Sequence, residues 1–210
     1  MQGLHSRILE FMSEIMESVE RRLADRVRGL RQASGFTLDD LARQSGVSRA
    51  AISLIERGES SPTANVLDRL AAGLGVTLAA LFAERERPDA SPLNRRTDQS
   101  AWTDPETGYV RRNLSPQGFP SRLELVEVTL PPETRVSYDA GSRLSVVEQQ
   151  VWVLSGALQI RVGATLHALA AGDCLAMQLD QPVGFHNPTA RPTRYLVALT
   201  SSMTRKGNSL

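Results

Sequence analysis

From Ile8 to about Phe82, apolar residues recur at every third or fourth position with glycines between the runs, the pattern of short packed helices. Beyond Arg122 the period falls to two. Residues 122–130 (RLELVEVTL), 146–154 (VVEQQVWVL) and 157–162 (ALQIRV) alternate like half-buried strands, with glycine or proline every eight to twelve residues, as in a barrel or sandwich. Residues 84–108 (ERERPDASPLNRRTDQSAWTDPETG) are polar and hold three prolines, so they read as a linker, longer than an ordinary tight connection. The pattern predicts an α + β, multidomain chain. Its parts are a helical extension over 1–20, a helical domain over 21–83, a linker over 84–117, a β domain over 118–202 and a tail over 203–210.

The helical half carries the clearest local signals. Thr37 is placed to cap a helix whose first turn holds Asp39 and Asp40, with Leu41 and Ala42 inward. Gly46 supplies the positive φ that a tight turn between two helices needs. Ser48 then caps a helix that turns Ile52 and Ile55 inward and leaves Arg49, Ala50, Ser53 and Leu54 outside. This is a helix-turn-helix.

With residues 37–63 (TLDDLARQSGVSRAAISLIERGESSPT) and 67–82 (LDRLAAGLGVTLAALF), the chain resembles the Xre family of phage-repressor-like regulators over residues 22–82. The resemblance implies a five-helix, lambda-repressor-like domain, its last two helices starting near Thr63 and Thr77. It also implies an internal ion pair between Arg31 and Glu56, and a recognition helix over residues 48–57 that enters the major groove. Arg49 is then the candidate for direct readout, since a guanidinium can donate two hydrogen bonds to guanine. Ala50 and Leu54 suit a thymine methyl or a dimer partner. Thr37, Ser48 and the two helix amino termini suit phosphates, and Ser53 lies on the same outward face. Arg43 and Arg57 either add to the phosphate contact or are plain surface charge.

From Gly118 to Leu199 the order of strands and glycines resembles a cupin, an all-β double-stranded β-helix barrel, and the whole chain resembles the Xre regulators that carry one. Metal-binding cupins converge three histidines and a glutamate on one cation. Anchored on Gly156, the corresponding slots hold Arg143, Ser145, Gln149 and Val183, none of them such a ligand. His186 is at odd offset from Val183 and should point the other way. The expectation is therefore no metal, no cofactor and no catalytic residue. Arg143, Ser145 and Gln149, with Val151 and Val183 beside them, read instead as an effector site. Arg143 suits a carboxylate or other small anion. The competing reading leaves Arg143 in an exposed turn and the barrel packed solid.

Overall charge changes this picture little, because 24 basic and 23 acidic residues leave a net +1. Distribution says more. Residues 1–20 carry Arg7 against four glutamates, whereas residues 21–87 carry eleven arginines against eight acids. Leu4 to Leu23 (LHSRILEFMSEIMESVERRL) places Ile8, Phe11, Met12, Ile15, Met16 and Val19 on one helical face, to be covered by the barrel or by a second subunit. Cys174 is the single cysteine, no apolar run approaches the ~20 residues of a membrane span, and the acidic start does not resemble a signal peptide. A cytoplasmic, homodimeric transcriptional regulator is expected, with double-stranded operator DNA and a small effector as partners and no membrane. The alternatives are a metal-dependent cupin enzyme with an accessory helical domain, or a DNA-binding protein whose barrel serves only dimerisation.

Overall fold

The structure is a computed structural model that describes residues 19–83, 89–139 and 145–203. Among the described residues the first half holds four α-helices: α1 over residues 19–33, α2 (Leu38–Ser45), α3 (Arg49–Glu56) and α4 (Ala64–Leu74). The local signals act as anticipated. Thr37 and Asp40 form a reciprocal capping box, the Asp40 amide donating to the Thr37 hydroxyl at 3.1 Å and the Thr37 amide to the carboxylate at 2.9 Å. Gly46 ends α2 at φ 66°, and the Ser48 hydroxyl accepts from the Ala51 amide at 3.2 Å to start α3. Leu23, Val27, Leu41, Ile52, Ile55, Leu67 and Leu70 fill the space between the helices. Most of the expected apolar face of residues 4–23 lies outside the described residues; its end, Val19 and Leu23, is buried.

The helix expected from Thr77 is instead a single 3-10 turn, Ala79–Leu81. The Thr77 hydroxyl does accept from the Ala80 amide at 2.9 Å. Leu81 is buried, and Phe82, just past the turn, lies against Trp102 of the barrel with ring centroids 5.5 Å apart.

Among the described residues the second half holds ten antiparallel strands: β1 (Ala101–Thr103), β2 (Val110–Asn113), β3 (Leu123–Leu130), β4 (Arg135–Tyr138), β5 (Ser145–Ser155), β6 (Ala157–Val162), β7 (Thr165–Ala170), β8 (Cys174–Gln178), β9 (Val183–His186) and β10 (Thr193–Met203). A six-stranded sheet, ordered β1-β2-β3-β10-β5-β8, faces a four-stranded one, ordered β4-β9-β6-β7. This is the cupin architecture. The barrel begins earlier than expected, because residues 101–113 of the anticipated 84–117 linker supply β1 and β2. Their inward positions, Trp102, Arg111 and Asn113, are two-thirds polar, so the period of two did not look like a buried strand.

One apolar core runs without interruption from Val19 to Leu199 through both halves. A polar contact reinforces the junction. Asp104, 2% exposed in the β1–β2 turn, accepts the Ala64 amide at 2.9 Å and so satisfies a free N–H at the start of α4. Among the described residues no helix is long and apolar enough to cross a membrane.

Candidate DNA-reading surface and barrel cavity

The residues singled out for DNA contact are spread along α2, α3 and their caps, Thr37, Ser48, Arg49 and Ala50 at the amino ends and Arg43, Leu54 and Arg57 toward the carboxyl ends. Thr37, Arg43, Ser48, Arg49, Ala50, Leu54 and Arg57 are exposed and Ser53 is half-buried. Leu54 keeps 39% of its surface in solvent. The arginines are held by acids of their own face. Arg49 Nε is 3.4 Å from Asp39, Arg43 pairs with Asp40, and Arg57 donates to both Glu59 oxygens at 2.8 Å and to the Ser53 hydroxyl at 2.5 Å. The Arg49 pair leaves about two-thirds of each side chain exposed, so it is cheap to exchange for phosphate or base.

Behind this surface, Arg31 spans from α1 to the end of α3. It donates to both Glu56 oxygens at 2.6 and 2.7 Å and to the Phe36 carbonyl at 2.8 Å. The Glu56 carboxylate raises the Arg31 pKa against the opposing pull of burial. The pair ties α1 to the end of α3.

A cavity of about 50 Å³ lies between the barrel and the helical half. Gln149 and Val183 line it and are buried, as is Val147. Val151 is buried deeper in the core and does not line it. The backbone of Ser145 opens β5, while Arg143 lies outside the described residues. His186 is on the face of β9 opposite Val183 and Phe185, with Nδ1 3.0 Å from Gln159 Oε1.

The side chain that dominates the cavity is Arg111, which sequence reasoning missed. It projects inward from β2 beside Val128 of β3, is 7% exposed, and leaves Nε and Nη2 buried without a hydrogen-bond partner. Three phenols stand around it. Tyr109 and Tyr138 share a hydrogen bond at 2.9 Å, Phe185 stacks on Tyr195, and burial holds all three tyrosines above their ordinary pKa. They are therefore neutral and supply no counter-charge. The available signal was Tyr109-x-Arg111-x-Asn113, a period-two triplet in a segment that looked like linker.

At two of the slots where metal-binding cupins place ligands the cavity is lined by Gln149 and Val183, and the Arg111 guanidinium lines it too. Among the described residues no three His, Cys, Asp or Glu side chains cluster. The far wall of the cavity comes from the helical half: Asp68 of α4, Thr77 and Leu78.

Together the fold and these two sites define a helix-turn-helix DNA-binding protein with a cupin barrel fused to it. The helix-turn-helix family model matches residues 27–81. The HTH-type transcriptional regulator PuuR of Escherichia coli is 28% identical over 179 residues, covering 83% of this chain and 92% of that protein. SutR of the same organism, also an HTH-type transcriptional regulator, is 41% identical over 68 residues, 32% of this chain and 38% of its own length. The crystal structure of an HTH_3 family transcriptional regulator from Vibrio cholerae superposes with a TM-score of 0.66 at 26% identity, covering 88% of this chain and 97% of that one. The chain therefore carries an Xre-type helix-turn-helix domain and is similar over most of its length to HTH-type transcriptional regulators.

Proposed function

We propose that this regulator reads a specific operator in double-stranded DNA as a homodimer, and that its barrel is a non-catalytic receptor for a small effector. One observation carries the receptor reading: the cavity has barrel residues on one side and Asp68, Thr77 and Leu78 of the DNA-reading half on the other. An effector seated there touches both halves. It therefore has the differential contact with domain arrangement without which a ligand shifts no equilibrium. Couplings of this kind are typically about 1–3 kcal/mol.

On the DNA side, Arg49 takes the base edge, with Ala50 and Leu54 against thymine methyls. Thr37, Ser48, Ser53, Arg43 and Arg57 position the backbone. A homodimer presents two such surfaces about one helical turn apart, so the operator is a near-palindrome. Catalysis by a bound metal is disfavoured by the guanidinium inside the barrel, and the relatives named above are regulators.

The test uses the full chain and an operator obtained by in vitro selection from random duplexes. DNA affinity is measured by fluorescence anisotropy with and without pools of small metabolites, and again with Val197→Phe, which fills the cavity. The expected result is a shift of at least fivefold with one pool, absent in the variant. An operator without dyad symmetry would count against the homodimer, and affinity that no pool moves would remove the receptor role.

A further inference from the structure

We infer that the ligand of the barrel is a small monocarboxylate, its two oxygens held by Nε and Nη2 of Arg111. This rests on the receptor reading above and names the chemistry of its ligand.

The orphaned donors themselves specify the partner. Nε–H and Nη2–H lie side by side on one edge of the guanidinium and point the same way, which is the donor pair that bridges the two oxygens of a carboxylate. Tyr109 and the nearby Glu124 relieve part of the charge, but Nε and Nη2 themselves stay buried with no hydrogen-bond acceptor, which carries a desolvation cost. The side chains nearest the charge are the three phenols, which burial keeps protonated. They can donate to an anion but cannot neutralise the arginine.

The two acids on the cavity wall do not fill the role either. Asp68 already has an interaction of its own, and Asp139 is exposed. Gln149, buried on β5 and lining the same space, brings a further amide for orientation. Thr77 and Gln181 add polar edges, while Val128, Val183, Phe185, Val197 and Leu199 form an apolar wall that would receive a short aliphatic remainder.

The space is small, about 50 Å³, which favours a short carboxylate such as acetate or propionate.

The experiment is a binding panel on the full chain, dialysed free of carboxylate buffers. Acetate, propionate and butyrate are compared by calorimetry and thermal shift with acetamide, ethylamine, chloride and inorganic phosphate at matched ionic strength. At least one carboxylate should bind saturably and raise the melting temperature, with the other probes inert. Arg111→Met should weaken that binding at least tenfold. Should that variant not fold, Gln149→Glu gives the same test by placing a carboxylate beside the arginine and excluding the ligand.

Carboxylate binding unchanged in either folded variant overturns the assignment to Arg111, and equal stabilisation by chloride or phosphate overturns the carboxylate class. Ethylamine or acetamide acting where the carboxylates do not would overturn this inference while leaving the receptor reading in place. If no member of the panel binds and no metabolite pool moves DNA affinity, both fall.

Discussion

Replacing Asp104 with alanine tests whether the two halves are one mechanical unit. Its carboxylate accepts the Ala64 amide at 2.9 Å on one oxygen, and the Thr107 amide at 2.9 Å and hydroxyl at 2.5 Å on the other. Thr107 is half-buried, so water recovers much of what it loses, and about 1 kcal/mol is a fair cost for that pair. Ala64 is 2% exposed, and its amide would be stranded at the start of α4, costing about 1–3 kcal/mol more. Asp104→Ala should therefore destabilise by about 2–4 kcal/mol, and Asp104→Asn by about 1, since one acceptor oxygen survives.

Trp102 makes a local reporter of this loss. It is two residues away, buried against Phe82 and Tyr109, and shares the chain with one other tryptophan, the exposed Trp152. In a Trp152→Phe background, urea denaturation followed by fluorescence should move its midpoint down by about 1–2 M for a slope near 2 kcal/mol/M. The variant should also lose response to effector while keeping most of its basal DNA affinity, because α3 is untouched. A destabilisation below about 0.5 kcal/mol, or an intact response with the cap removed, would refute the argument that this contact joins the halves.

Arg49→Ala should cost about 1–3 kcal/mol on the selected operator and much less on unrelated duplex, measured by competition anisotropy; equal losses would mean a phosphate contact only. Gly46→Ala forces alanine into φ 66°, worth about 1–2 kcal/mol of stability by denaturant midpoint, and the added carbon meets only the flexible end of Arg69, so the backbone term should dominate. Glu124, on β3, accepts the Thr77 hydroxyl at 2.6 Å, and burial raises its pKa above the ordinary 4.5 despite that bond and the nearby Arg111 and Arg26. A raised carboxyl contributes stability that is present below the ordinary pKa and lost as pH rises through the folded one. Glu124→Gln should thus gain on wild type as pH climbs from 4 toward 8 in a thermal-melt series, and a difference independent of pH would contradict this.

The helix-turn-helix was legible because its signals are local. A capping threonine and serine, a glycine in the left-handed region and an apolar spacing of three and four act within one or two turns, so Thr37, Gly46, Ser48, Ile52 and Ile55 place α2 and α3 without reference to the rest of the chain. The longer strands were legible for a similar reason, since alternation over Leu123–Leu130 and Ser145–Ser155 marks a buried face by itself. The short strands β1 and β2 were not, because a three- or four-residue strand whose inward positions include arginine and asparagine has no apolar rhythm to read. Nor was the cavity's chemistry. Tyr109 and Arg111 meet Tyr195 only because β2, β3 and β10 lie side by side, with Val128 paired to Arg111 on one side and to Tyr195 on the other. Motif spacing pointed to Arg143, a residue near the ligand slots in sequence. The sheet order brought in Arg111 from a segment that looked like linker, because which side chains share a barrel interior is set by strand neighbours and register, and these depend on pairings between residues far apart in the chain.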